Sequence, residues 1–160
     1  MCSLLAIPPS VRRLVSSARV GHFASSNAAG PGLVPVCFVL AGDTVYHALD
    51  AKPKSIDPRR LARVRNISVT PEATFLVDHY DEDWRRLWYV LFRGSARVLE
   101  EGEEQQRAIR ALRRKYRQYR RELPLPPAAT VIALDVRRFS YWRSSSATRS
   151  RGAGPAARPS

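Results

Sequence analysis

The chain has 160 residues, 44% of them hydrophobic, and carries 27 Lys and Arg against 14 Asp and Glu, a net charge of +13. That length suits one domain, and the apolar content excludes disorder along the whole chain. The longest apolar run, residues 33–41, contains Pro35 and is too short for a transmembrane helix.

In chain order, Ser10 is placed to cap a short helix that sets Val11, Leu14, Val15 and Ala18 on one face. Residues 20–25 read as a strand and residues 27–32 as a turn rich in Gly and Pro. Residues 33–40 are apolar on both faces, which predicts one buried barrel strand. Pro35 lacks a ladder donor and belongs at an edge or bulge. A turn at Ala41, Gly42 and Asp43 leads into a strand over 44–49. Residues 50–55 form a polar loop, and Asp57 with Pro58 starts a helix from which Leu61 and Val64 face inward.

A strand over 74–80 and an acidic tip at Asp81, Glu82 and Asp83 follow. The next strand, 87–98, carries Gly94 as its bulge residue. Residues 103–122 give the clearest helical period, with Ile109, Leu112, Tyr116, Tyr119 and Leu123 in one stripe and Pro124 as its stop. A last strand spans 130–136 and can extend through Phe139 to Trp142. Residues 144–160 hold no apolar side chain larger than Ala and are expected to form a disordered basic tail after a domain over 1–143. The sum is about six strands joined mostly by hairpins, with two or three helices, which points to an antiparallel barrel.

Of the 27 basic residues only Lys52, Lys54 and Lys115 are Lys. A GC-rich gene produces such a skew as readily as a function does. The excess concentrates between Arg107 and Arg121 and beyond Pro124. Cys2 and Cys37 give no disulfide framework, and residues 3–7 are too short for a signal-peptide core, so a cytoplasmic chain is expected.

His22, His47 and His79 lack ligand spacing and read as surface or half-buried histidines. Neither a nucleophile elbow nor a Gly-rich phosphate loop is present. Lys52-Pro53-Lys54 sets two ammonium groups around a stiff residue just past a strand, which suits a phosphate or carboxylate and equally suits a solvated loop. Arg110, Arg113, Arg114, Lys115, Arg117, Arg120 and Arg121 on the late helix, with Trp84, Trp88, Tyr89, Tyr141 and Trp142 as stacking platforms, give a second reading as a nucleic-acid-binding barrel. Its requirement is that helix and aromatics share one exposed face.

Several blocks carry a family resemblance. They are Val34-Pro35-Val36-Cys37-Phe38, Tyr46 through Lys54, Arg60-Leu61-Ala62 with Asn66, Leu76 through Trp84, Leu87-Trp88-Tyr89-Val90, and Gly94 through Leu99. Together they resemble the actinobacterial branch of the pyridoxamine 5′-phosphate oxidase-like proteins, the flavin and deazaflavin oxidoreductases. The resemblance implies a six-stranded antiparallel split β-barrel of the FMN-binding type and a homodimer with its cofactor between subunits. It implies coenzyme F420, with FMN as the alternative, and hydride transfer to or from a small organic substrate. Carried onto this chain, Pro35, Val36 and Cys37 would line the ring. Asp50, Lys52, Lys54 and Ser55 would meet the phosphate and acidic tail, and the partner's Trp88, Tyr141 and Trp142 would close the groove. The stretch from Ala28 to Gly32 departs from the family pattern, because Gly32 offers no side chain to cofactor or substrate. A ring that carries the redox chemistry accounts for the missing catalytic constellation.

Overall fold

Alternation decides the sheet. Along β1 (Gly21–Asn27) Phe23 and Ser25 turn inward, and along β5 (Glu72–His79) Ala73, Phe75 and Val77 do so. In β6 (Trp88–Leu99) the inward set is Trp88, Val90, Phe92 and Ala96. Every second residue therefore enters one core. The other strands are β2 (Gly30–Val36), β3 (Val39–Ala41), β4 (Thr44–Ala48) and β7 (Val131–Arg143). Among the described residues three α-helices accompany them: α1 (Pro9–Ser17), α2 (Ala62–Val69) and α3 (Glu103–Lys115). This computed structural model describes residues 6–49 and 61–144.

The seven strands form one antiparallel sheet in the order β2-β1-β5-β6-β7-β4-β3. Its two end strands, β2 and β3, are joined by Cys37 and Phe38 alone. Two residues reach no further than about 10 Å, so the sheet must curl until the linked ends of its two edge strands meet. The result is the split barrel, with seven strands instead of six.

The extra strand comes from the run over 33–40, which does not form one buried strand. It divides at Cys37 and Phe38, and β2 lies on an open edge with Leu33 66% exposed. Pro35 does sit on an edge strand, where its missing donor costs no ladder bond to an outer neighbour. Phe38, fully buried against Phe75, enters the barrel core there, and Val39 is buried in the outer cluster.

Two apolar clusters hold the fold. Inside the barrel, Phe23, Phe38, Phe75, Phe92, Ile132 and Leu134 pack together, and Val11 and Val15 of α1 plug one end. Ser10 is not the cap. Pro8 precedes the first turn of α1, and no side chain caps it. Outside, Ile109 and Leu112 of α3 with Tyr116 and Tyr119 cover Val39, Ala48, Leu125 and Val131.

The helix predicted to Glu122 ends at Lys115, and a short 3₁₀ turn at Arg117–Tyr119 follows. Tyr116 explains the break. Its hydroxyl accepts the Phe38 N–H at 2.9 Å and lies 2.9 Å from the Arg19 carbonyl and 3.0 Å from the Phe38 carbonyl, one of which takes its proton. Docking that hydroxyl in the seam between β2 and β3 requires extended backbone at Tyr116. Tyr116→Phe keeps the ring and orphans a buried N–H, so it is expected to cost about 1–3 kcal/mol in urea unfolding. Leu123, assigned to the apolar stripe from the helical period, is 45% exposed because the helix no longer reaches it.

Candidate functional site

The sequence-derived site residues fall in three places. Pro35 is exposed on the open edge of β2, and Val36 and Cys37 are half-buried beside it. Asp50, Lys52, Lys54 and Ser55 lie outside the described residues. Trp88, Tyr141 and Trp142 gather where β6 begins and β7 ends, in the register Trp88↔Arg143, Tyr89↔Trp142 and Val90↔Tyr141. Trp88 is buried and stacks on His79 at 6.0 Å, whereas Tyr141 and Trp142 are exposed and Trp142 stacks on Tyr89 at 5.9 Å. Between β2 and β7 lie three strands, a separation of about 19 Å at the usual spacing. In the order of the sheet the ring-lining edge and this aromatic group are not neighbours.

The basic helix and the aromatics do not share a face either. The chain enters α3 after Leu99, at the far end of β6 from Tyr89, about 33 Å along the strand. Two members of the basic set also turn away from solvent. Arg113 donates to the Leu125 carbonyl. Lys115 rests its ammonium 4.0 Å from the centre of the Phe38 ring, with no hydrogen-bond partner. Burial, reinforced by the Arg19 cation, pushes Lys115 down to about 8. Burial also pushes the adjacent Tyr116 up to about 12.

The histidines divide by burial. His22 lies 3.6 Å from Asp78, and His79 lies 3.6 Å from Asp81. His47 is 1% exposed, tilted against Phe23 at 4.8 Å, and its Nε2 has no partner. Among the described residues no cluster of three or more His, Cys, Asp or Glu is arranged to hold a metal ion. No described helix is long and apolar enough to cross a membrane.

Asp135 on β7 and Glu104 on α3 share one cation. Arg97 on β6 binds Asp135 through two nitrogens at 2.6 and 2.9 Å and Glu104 at 2.9 and 3.1 Å. The Tyr46 hydroxyl donates to Glu104 at 2.9 Å, and Thr44 donates to Asp135 at 3.1 Å. Hydrogen bonds from Arg97 hold Glu104 below its ordinary carboxylate value, and burial followed by the Glu104 contact raises the Tyr46 phenol. This network ties β4, β6, β7 and α3 together.

A different part of the surface was not legible as a site. A cleft of about 570 Å³ opens on the side of β1, β5, β6 and β7 turned away from the barrel core. Arg93, Arg137 and Arg138 line it together with Ser26, Thr74 and Glu72. The bulge predicted at Gly94 creates this convergence. Arg93 pairs with Arg138, but Gly94 pairs with Val136, so Arg137 is the extra residue. A bulge re-aims the side chains beside it, and here both β7 arginines reach the cleft that Arg93 lines. Three arginines spaced along 93–138 carry no sequence signal of proximity.

A family model described as pyridoxamine 5′-phosphate oxidase matches residues 9–144. No curated protein matches the chain. Among solved structures, the conserved hypothetical protein Rv2991 from Mycobacterium tuberculosis is 17% identical with a TM-score of 0.68, over 90% of this chain and 89% of that one. An FAD-binding protein from Mesorhizobium loti is 16% identical with a TM-score of 0.60, over 84% and 94%. The heme storage protein HutZ from Vibrio cholerae is 12% identical with a TM-score of 0.63, over 87% and 95%. At these identities the likeness is one of fold.

Proposed function

The chain belongs to the pyridoxamine 5′-phosphate oxidase family, and on that premise we propose that it is an oxidoreductase holding a flavin-type ring, coenzyme F420 ahead of FMN, between two copies of itself. The observation that carries this reading is β2. It is an open edge of the sheet whose Leu33 is 66% exposed and whose Pro35 is exposed two residues along on the same face. Such an edge invites a covering surface.

The residues present fit a planar ring. Leu33 and Pro35 share one exposed apolar face of β2, Val36 turns to the core behind them, and an edge strand offers free backbone N–H and C=O groups to the polar rim of a heterocycle. A bound deazaflavin or flavin would supply hydride transfer, to or from a small organic substrate. Lys52 and Lys54 would hold its phosphate as point charges, with Asp50 and Ser55 beside them. Trp88, Tyr141 and Trp142 would belong to the opposite copy's wall of the groove. This division between copies agrees with the strand order, in which β2 is neighbour to neither β6 nor β7. The strongly basic composition suits F420, whose phosphodiester and glutamate tail make it a long polyanion.

The test is the absorbance of the purified chain after incubation with F420, FMN or heme and then dialysis, with sedimentation to read the dimer. Retained F420 with micromolar or tighter affinity, about −8 kcal/mol or better, is expected. Lys52→Ala with Lys54→Ala is expected to weaken it and flatten its salt dependence. Retention of FMN alone would replace the deazaflavin and keep the fold assignment. Retention of heme alone would overturn the oxidoreductase reading.

A further inference from the structure

The arginine cleft is unused by a ring seated on β2. Pro31, four residues before Pro35 on β2, lines it, so the two places are neighbours and separate. We propose that this cleft binds a small multivalent organic anion, whose carboxylate or phosphate oxygens are gripped by Arg93, Arg137 and Arg138.

Charge makes the first argument. Arg93 and Arg138 are direct cross-strand partners, and like charges placed so destabilise a sheet. The same two strands show the alternative. Four residues along β6, Arg97 is neutralised by Asp135 and Glu104. Among the described residues Arg93, Arg137 and Arg138 make no ion pair. The single carboxylate of the cleft, Glu72, forms none with them. Three guanidinium groups against one carboxylate leave a net positive cleft.

Geometry makes the second. The guanidinium fork pairs two-on-two with carboxylate and phosphate oxygens. Adjacent strands β6 and β7 place Arg93 and Arg138 side by side, and the bulge adds Arg137. Ser26 and Thr74 bring hydroxyls to the opposite wall. The cleft's volume falls within the usual range for a small-molecule pocket. Gly94 lies at the bulge with no room for a side chain, since a Cβ there would meet the Asp135 carbonyl oxygen at 1.9 Å. The arrangement therefore stands on backbone packing and does not depend on flexible surface side chains alone.

The test is titration calorimetry of the full chain with citrate and, separately, with pyrophosphate, at about 50 mM salt so that screening stays weak. Saturable binding of at least one, near one anion per chain, is expected, and the preferred anion tells carboxylate from phosphate chemistry. Arg137→Gln with Arg138→Gln is expected to weaken binding tenfold or more. Arg110→Gln with Arg114→Gln, the same charge loss on an exposed stretch of α3, is expected to change it less than twofold. Arg93→Gln gives the same readout as the β7 pair if that double variant does not fold. Equal weakening by the cleft pair and the α3 pair would mean diffuse attraction and overturn the proposal, as would no saturable binding of either anion. Lys52→Ala with Lys54→Ala is expected to leave anion binding intact. Loss of binding in that variant would move the site to the 50–55 loop and overturn this one, whereas failure of F420 and FMN to bind leaves it standing.

Discussion

Gly94→Ala is expected to destabilise the chain by about 3–5 kcal/mol, a fall in melting temperature of about 10–15 °C. The reason is contact with rigid backbone. A Cβ at position 94 would lie 1.9 Å from the Asp135 oxygen, 2.8 Å from its carbonyl carbon and 3.1 Å from the Val136 Cα. No side-chain rotation relieves that overlap, so β6 and β7 must part where their register shifts. Parting them would also disturb Asp135, which holds Arg97. Gly32→Ala is the matched control. Its nearest non-neighbouring atom would be 3.8 Å away, and a change within about 0.5 kcal/mol is expected. Circular-dichroism melts of the two variants decide it. A Gly94→Ala melt within about 2 °C of the parent, less than the shift of 1 kcal/mol, would mean the bulge does not pack as described.

The parts of the fold readable in the sequence are those where period and punctuation agree. The β5 and β6 strands alternate cleanly, Gly42 marks the turn between β3 and β4, and Gly94 marks the bulge. The misread parts are governed by distant contacts. Residues 33–40 hold no polar residue at Cys37 or Phe38 to announce a break, and the break serves closure of the barrel. Residues 117–122 are good helix formers, but the Tyr116 hydroxyl gains three neighbours in the seam only if the helix stops. Tertiary context overrides propensity there. For the site, Pro35 pointed to an edge position, whereas the apolar run around it read as one buried strand. Trp88, Tyr141 and Trp142 stood out in the sequence as stacking platforms, but their different burial did not, since buried Trp88 and exposed Trp142 read alike. The arginine cleft was illegible because a one-residue shift in register creates it, and sequence spacing does not encode register.

Acid should unfold this chain early, and His47 is the reason. Its ring is 1% exposed and packs on Phe23, and Nε2 has no partner to share an added proton. Burial, with a smaller push from the Arg63 cation, lowers its pKa from 6.5 to about 3. The native state therefore stays neutral while the unfolded chain takes up a proton below pH 6.5. Stability is complete above that value and falls as pH drops toward 3, by about 1.4 kcal/mol per unit. Between pH 6.5 and pH 5 the expected loss is about 2 kcal/mol. Carboxylates held low by ion pairs, such as Glu104, also lose stability in acid. Their unfolded values lie near 4, so most of that loss falls below pH 5. The upper window thus isolates the histidine. His47→Leu keeps an apolar side chain beside Phe23 and removes the titrating group, so its stability should stay nearly flat across the window. Urea unfolding of parent and variant at pH 6.5, 5.75 and 5.0 is the measurement. A flat parent, or a variant that keeps the parent's slope, would place the acid sensitivity elsewhere than in the barrel core.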